Sequence, residues 1–466
     1  MKTINKKIIL GLTLVSMVFK LHAASPVTAP SGMVAWWKGD DDAIDSIGGN
    51  NGTLLGELGF ATGKVCDGFN FDGVDDTVSI PASGSLNVGT NDGFTLECWI
   101  KPNDVSDQHP MFEWRGGSGT SVGVHFWTGT GGAGVLYANI VSPTDVSHTI
   151  TSPSVIVTNV FQHVALTFDK ASGIATLFYN GVPVQTASFG TGFTPKTDTD
   201  LLLGRRIDGG SLYFWGIMDE PSVYNRALST NEIMEIYTAS SAGKLAGMVS
   251  WWKGESNTVD HYGSNNGTAS GGLGYTAGEV GTGFNFDGVN DTISIPASAS
   301  LNVGTNQGFT LECWIKPHNI SNQHPLFEWM GETNDLDDIG VHFWAPSSET
   351  DSLYANIVDT DSEAHGIVVS DVLQNEVFQH VAVTFDRASG MANLYRNGSL
   401  VQTANLGSDF TPKTINALLL GRRMSSDDWY FYGVMDEPSI YNRALTPCEV
   451  FSIYNAGSAG KTLLLP

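Results

Sequence analysis

The chain has 466 residues, with 48 acidic against 23 basic side chains and a net charge of −25 at neutral pH. Leaving out Lys2, Lys6, Lys7 and Lys20 at its start, 19 basic residues remain and the net charge falls to −29. Such a chain lacks the basic footprint that a phosphate backbone needs, which excludes nucleic acid and anionic lipid as partners. Divalent cations remain, and the acidity also serves to keep an exported protein in solution.

At the N-terminus, three lysines precede the apolar run Ile8 to Phe19, and Leu21-His22-Ala23-Ala24 comes directly after it. This reads as a secretory signal peptide over residues 1–24. The run is too short to cross a bilayer, no Cys succeeds it to carry a lipid, and the end GKTLLLP lacks an anchor. The expectation is a secreted, extracellular protein without membrane insertion, with periplasmic or cell-surface retention as alternatives.

Beyond this leader the chain is written twice. MVAWWKG at Met33 recurs as MVSWWKG at Met248, GFNFDGVDDTVSIPAS at Gly68 as GFNFDGVNDTISIPAS at Gly283, and DEPSVYNRAL at Asp219 as DEPSIYNRAL at Asp436. A period of that size is a duplicated domain rather than a solenoid unit. The organisation predicted is a first domain over 32–239, a linker over 240–247 and a second domain over 248–457, making the protein bivalent by construction.

Within each copy, segments such as DTVSIP, FTLECWIK, VGVHFW and HVALTFD alternate apolar and polar residues between Gly, Asn and Asp, the pattern of half-buried strands. Asn180-Gly181 and Asn397-Gly398 predict two-residue hairpin turns. One helix closes each copy: LSTNEIMEIY carries a capping box from Ser229 to Glu232, and LTPCEVFSIY places Thr446 and Glu449 around Pro447. About 200 residues of short antiparallel strands predict one large sandwich per copy.

Cys98 and Cys313 are repeat equivalents, whereas Cys66 aligns with Gly281 and Cys448 with Asn231, so the four cysteines are not a duplicated framework. Alternation puts Cys98 on a core face as a small apolar residue. Export also permits one bridge per domain, Cys66 to Cys98 and Cys313 to Cys448.

The order WWKG, DxxGxNNGT (Asp45 to Thr53), GFNFDGxxD, FTLExWIKP, FQHVALTFD, YNG, LLLGRR and GxMDEPSVYNRALS resembles the LamG-like (laminin G type 3) jelly-roll domain of the concanavalin A-like lectin/glucanase superfamily. The resemblance covers nearly all of the chain after the leader, twice. It implies an all-β fold of two tandem antiparallel jelly-roll sandwiches, each with a short C-terminal helix. It also implies a bound calcium ion in some members and glycan binding in others, on a fold that hosts unrelated functions.

Catalysis is tested by its motifs. Glucan hydrolases of this superfamily carry ExDxxE on one strand, so that alternate carboxylates converge on one bond. The nearest string, Glu349-Thr350-Asp351, has Tyr354 at its last position. No GxSxG or HExxH occurs, and GSAGKT at Gly457 fails as a phosphate loop because Asn455 holds the earlier glycine position. The chain is therefore read as non-enzymatic.

Calcium takes six to eight hard oxygens, and Asp/Asn/Gly loops supply them. Together with the resemblance, that chemistry nominates Asp45, Asn50 and Asn51 with Asp219, and in the second copy Asp260, Asn265 and Asn266 with Asp436. The alternative is that such residues form turns by bonding their own backbone, the role also expected of Asp72 and Asp287.

For a ligand, VGVHFW places His125 and Trp127 on one face and Val124 and Phe126 on the other, and His342 and Trp344 repeat this. An aromatic plane beside polar donors suits a sugar ring. Trp36, Trp37, Trp99, His163 and their equivalents are expected in the inter-sheet core. The loops Arg115 to Gly123 and Thr128 to Gly134 are glycine-rich, while their counterparts Met330 to Gly340 and Ala345 to Ser352 are acidic. The sequence thus predicts a non-catalytic, lectin-like protein that recognises a glycan or cell-surface ligand, with other extracellular proteins as further partners. A structural or adhesive module and a glycan hydrolase are the alternatives.

Overall fold

The computed structural model describes residues 26–115, 122–206, 212–240, 243–321, 323–331, 339–345, 351–423 and 429–462. The leader, parts of the diverged loops and residues 241–242 of the linker lie outside them.

Each copy folds into two facing antiparallel sheets. In the first, an eight-stranded sheet runs Val182–Ser188, Ile174–Tyr179, Gln162–Asp169, Gly93–Pro102, Trp215–Tyr224, Asp67–Asp72 and Gly59–Thr62, with Met33–Trp36 paired to Trp215–Tyr224. The seven-stranded sheet opposite runs Ser147–Ser154, Val135–Val141, Val122–Thr128, His109–Arg115, Leu201–Leu203, Thr77–Ile80 and Thr53–Leu55. The second copy repeats both orders. Asn180 and Gly181, and Asn397 and Gly398, all have positive φ, as the two-residue hairpin turns require.

Between the sheets lies the main core of each copy, including Phe71, Phe94, Leu96, Cys98, Trp114, Val124, Phe126, Leu166 and Phe168 in the first. Burying each of these large side chains contributes roughly 1.5–3 kcal/mol. The closing helices Thr230–Ala239 and Pro447–Ala456 carry the predicted capping boxes and cover the outer face of the eight-stranded sheets. Trp37 joins the inter-sheet core, but Trp36, Trp99 and His163 do not. They lie on the helix side, where Trp99 meets Tyr237 at 5.8 Å and edges His163 at 5.3 Å. Alternation assigns a residue to a buried layer without saying which, and the helix creates a second layer.

That second layer holds a buried charge cluster. Glu97 accepts from His163 Nε2 at 3.1 Å, Tyr224 Oη at 3.2 Å and Lys244 Nζ at 3.0 Å. Lys244 also lies 3.3 Å from Glu220. Burial alone would raise the Glu97 carboxyl, but Lys244 and His163 outweigh it and hold it down at about 2. Glu312, His380, Lys461 and Glu437 repeat the cluster. Glu220 and Glu437 reach it because the chain bulges there, at φ +60° and +57°, a conformation costing about 1–2 kcal/mol for a residue with a Cβ. Lys244 comes from the segment read as a linker, and Lys461 from the GSAGKT string that fails as a phosphate loop; each is the last piece of its own sandwich.

The copies are joined covalently. Cys66 bonds Cys448 across the duplication, with Cα atoms 6.3 Å apart, while Cys98 and Cys313 are free and buried. The intradomain pairings Cys66 to Cys98 and Cys313 to Cys448 are thereby corrected: the strand carrying Cys98 or Cys313 points that thiol into the core, away from any partner. Lys38 of the first copy pairs with Glu449 of the second at 2.7 Å. Val27–Thr28 lies parallel to Lys244–Leu245, and Thr28 N–H also donates to the carbonyl of Thr462 at 3.0 Å.

Candidate ligand pockets on the seven-stranded sheets

The outer face of each seven-stranded sheet holds a pocket, of about 580 Å³ in the first copy and about 530 Å³ in the second. The first is lined by His125, Trp127, Tyr137, Asn139 and Arg206, the second by His342, Trp344, Tyr354, Asn356 and Arg423. These are the same positions, one repeat apart. The alternation of VGVHFW does what the sequence predicts: Val124 and Phe126 enter the core while His125 and Trp127 face the pocket.

Neighbouring strands set the geometry. Pairing places Tyr137 opposite Trp127 and Asn139 opposite His125. The rings of His125 and Trp127 lie 4.9 Å apart, and Tyr137 stands 5.9 and 6.3 Å from them. Arg206 spreads over the Trp127 ring at 4.7 Å, and Arg423 over Trp344 at 5.0 Å. Beneath them, Trp127 Nε1–H donates to Glu113 and Trp344 Nε1–H to Glu328, each at 2.9 Å. Trp127 and Trp344 are thus built into the wall, with one face taken by a guanidinium. The half-buried rings of Tyr137, Tyr354 and Trp429 are the aromatic surfaces that remain open.

Burial holds the pocket histidines neutral. His125 and His342 are both lowered to about 3, by burial first and then by Arg206 or Arg423. Their Nδ1 atoms face the carbonyls of Gly123 at 3.3 Å and Gly340 at 3.1 Å, so Nδ1 carries the proton. Glu328 lies within 3.6 Å of Arg423, which would keep it ionised, yet burial dominates and raises its carboxyl to about 8. The single guanidinium is also shared with two indole rings.

Most oxygens of the nominated calcium ligands accept other hydrogen bonds, but Oδ1 of Asp219 and Oδ1 of Asp436 are buried without a hydrogen-bond partner among the described residues. Asp45 accepts from the backbone N–H groups of Trp36, Ile47, Gly48 and Asn50, and from Asn50 Nδ2. Asp260 does the same for Trp251, Tyr262, Gly263 and Asn265. Asn50 Oδ1 accepts from Ser83 and Ser85, Asn265 Oδ1 from Ser298 and Ser300, and Asn51 and Asn266 receive the N–H of Asp45 and Asp260. Asp219 is fully buried and caps Lys64 N–H and Val65 N–H at 2.6 and 2.8 Å; Asp436 caps Val280 N–H at 2.8 Å.

A family model described as the concanavalin A-like lectin/glucanases superfamily matches residues 72–234 and 287–451. The chain belongs to this superfamily. Both matches begin inside the sandwich, at Asp72 and Asp287, and together they contain both pockets. Among solved structures, the chain is similar to domain 4 of AbnA, an extracellular arabinanase from Geobacillus stearothermophilus, solved with arabinotriose: 18% identity, 44% of this chain, 96% of that one, TM-score 0.34. It is also similar to the CBM40 of the Ruminococcus gnavus IT-sialidase bound to sialyllactose, at 20% identity over 33% of this chain and 86% of that one, TM-score 0.29. The binding domain of Paraclostridial Mosquitocidal Protein 1 aligns over 86% of this chain and 91% of its own, at 12% identity and TM-score 0.37. Among curated proteins, none matches the sequence.

The pocket brings His125 and Trp127, which the sequence nominates, together with Arg206, Tyr137, Asn139 and the buried Glu113, which it does not. A signal was available. LLLGRR places two arginines directly after Gly204, whose φ of +78° turns the chain out of the sheet, and the second copy preserves the string at Leu418 to Arg423.

Proposed function

We propose that this is a secreted, non-catalytic binding protein whose two repeats each hold a glycan, or another hydroxyl-rich surface ligand, in the pocket on the seven-stranded sheet. The observation that carries the reading is the duplication of the pocket itself: imidazole, indole, phenol, amide and guanidinium stand at the same positions in both copies. An open aromatic ring beside amide and guanidinium donors matches the apolar face and hydroxyl rim of a sugar. The net charge of −25 favours neutral over acidic sugars. A disulfide between the domains supports an oxidising, extracytoplasmic compartment.

What speaks against hydrolysis is that the described lining of the first pocket holds one carboxylate, Asp145, and that of the second none, with Glu113 and Glu328 buried beneath Trp127 and Trp344. A glycosidase needs two carboxyl groups flanking the bond.

The test is binding of the mature protein to a panel of immobilised polysaccharides, with Tyr137→Ala plus Tyr354→Ala as the variant. Each lost ring contact is worth roughly 0.5–1.5 kcal/mol, and the tandem arrangement multiplies the losses. Retention on at least one neutral glycan, weakened in the variant, is expected. No retention on any surface leaves the structural or adhesive module; release of sugars by the wild type makes the protein an enzyme.

A further inference from the structure

The turn between Asp67–Asp72 and Thr77–Ile80 carries the chain from one sheet to the other and holds three aspartates. One carboxylate oxygen from each of Asp72, Asp75 and Asp76 lies within 4.8 Å of the other two. Two of the aspartates have structural duties. Asp72 Oδ1 accepts from Val74 N–H at 2.7 Å, and Asp76 Oδ2 accepts from Asp72 N–H at 2.8 Å.

Asp76 Oδ1 is different. The residue is only 3% exposed, and this oxygen has no hydrogen-bond partner among the described residues. A buried carboxylate oxygen left without a donor is costly and calls for an occupant. The second copy repeats the arrangement: Asp291 is 2% exposed, its Oδ2 accepts from Asp287 N–H at 2.9 Å, and its Oδ1 has no partner among the described residues. There Asn290 replaces Asp75, substituting a neutral amide oxygen for a charged one.

We propose that each of these turns binds a calcium ion, through Asp72, Asp75 and Asp76 in the first copy and Asp287, Asn290 and Asp291 in the second. Oxygens 4.8 Å apart or closer fit around one ion at calcium–oxygen distances of about 2.3 to 2.6 Å. The ion supplies the unmet partner of Asp76 and Asp291 and relieves repulsion among carboxylates. Because the turn is the crossover between sheets, the ion clamps the sandwich at that edge. Ligand charge sets affinity in such sites, so the first copy binds more tightly than the second.

The test uses the mature protein and exchanges the one residue that differs. Asp75→Asn and Asn290→Asp each install a turn that the other copy already carries, so both variants fold. Calcium titration by calorimetry should show two sites in the wild type, the tighter by about tenfold. Asp75→Asn should remove the tight class and Asn290→Asp should create a second tight one. Terbium gives a second readout: the Cβ of Trp215 lies against Gly73, so tryptophan-sensitised terbium luminescence should weaken in Asp75→Asn and persist in Asn290→Asp. Absence of calcium uptake by the wild type, or uptake that neither exchange alters, overturns the assignment.

Discussion

The two pockets share a floor and differ in one wall. In the first copy, Arg206 covers Trp127 and the next lining position is Leu212. In the second, that position is Trp429, which meets Trp344 edge-on at 5.2 Å and lies 6.0 Å from the guanidinium of Arg423. A second difference lies deeper: Glu113 has two guanidiniums nearby, Arg115 at 3.9 Å and Arg206 at 3.8 Å, whereas Met330 stands in place of Arg115 and Glu328 has Arg423 at 3.6 Å. Both copies keep the buried charge cluster and the five shared pocket groups and diverge in the wall around those groups, so the repeats should be alike in stability and distinct in recognition.

The largest expected effect tests the first half of that statement. Lys244→Met and Lys461→Met each strand buried glutamates, Glu97 and Glu220 or Glu312 and Glu437, and should lower stability by about 3–5 kcal/mol. Denaturant unfolding of each variant measures it; a loss confined to one copy breaks the equivalence. Next, Cys66→Ser with Cys448→Ser removes the tie between copies, for which roughly 2–4 kcal/mol is expected. Calorimetry should then resolve two transitions where the bridged protein shows more closely coupled unfolding, and an unchanged trace would mean that Lys38–Glu449 and the Val27–Thr28 strand suffice.

A smaller effect separates the pockets. Trp429→Leu should weaken glycan retention by the second copy by roughly 0.5–1.5 kcal/mol, and Leu212→Trp should strengthen the first by a similar amount. Equal responses in opposite senses sharpen the comparison; no response to either places the ligand elsewhere. The smallest effect is on the pH dependence of stability. The Glu328 carboxyl is raised from its ordinary 4.5 to about 8, so the folded state holds the proton more tightly than the unfolded chain. Its contribution is full below pH 4.5 and is lost as pH rises toward 8. Glu328→Gln, which keeps an acceptor for Trp344, should flatten the fall in Tm across that window. Met330→Arg, which supplies the guanidinium of the first copy, should flatten it too.

Much of the fold was legible because it rests on short-range regularities. Period-two alternation gave the strands and assigned Val124 and Phe126 against His125 and Trp127. The site was half legible for the same reason: residues within one strand could be grouped, but Tyr137 and Arg206 join them through pairing with other strands. In the Asp/Asn loops the sequence leaves two roles open, and the tertiary structure adds that Asp45 bonds its own turn through Ile47, Gly48 and Asn50.

The sequence by itself determined a duplicated all-β chain, the closing capped helices, the hairpin turns and which face of each strand is apolar, because each is encoded within a few residues. Only the tertiary structure decided that Cys66 bonds Cys448, 382 residues away, that Lys244 pairs with Glu97 at a separation of 147, and that Arg206 lies over Trp127. Those contacts are selected by how two sheets, a helix and a second copy close on one another, and no local period carries that information.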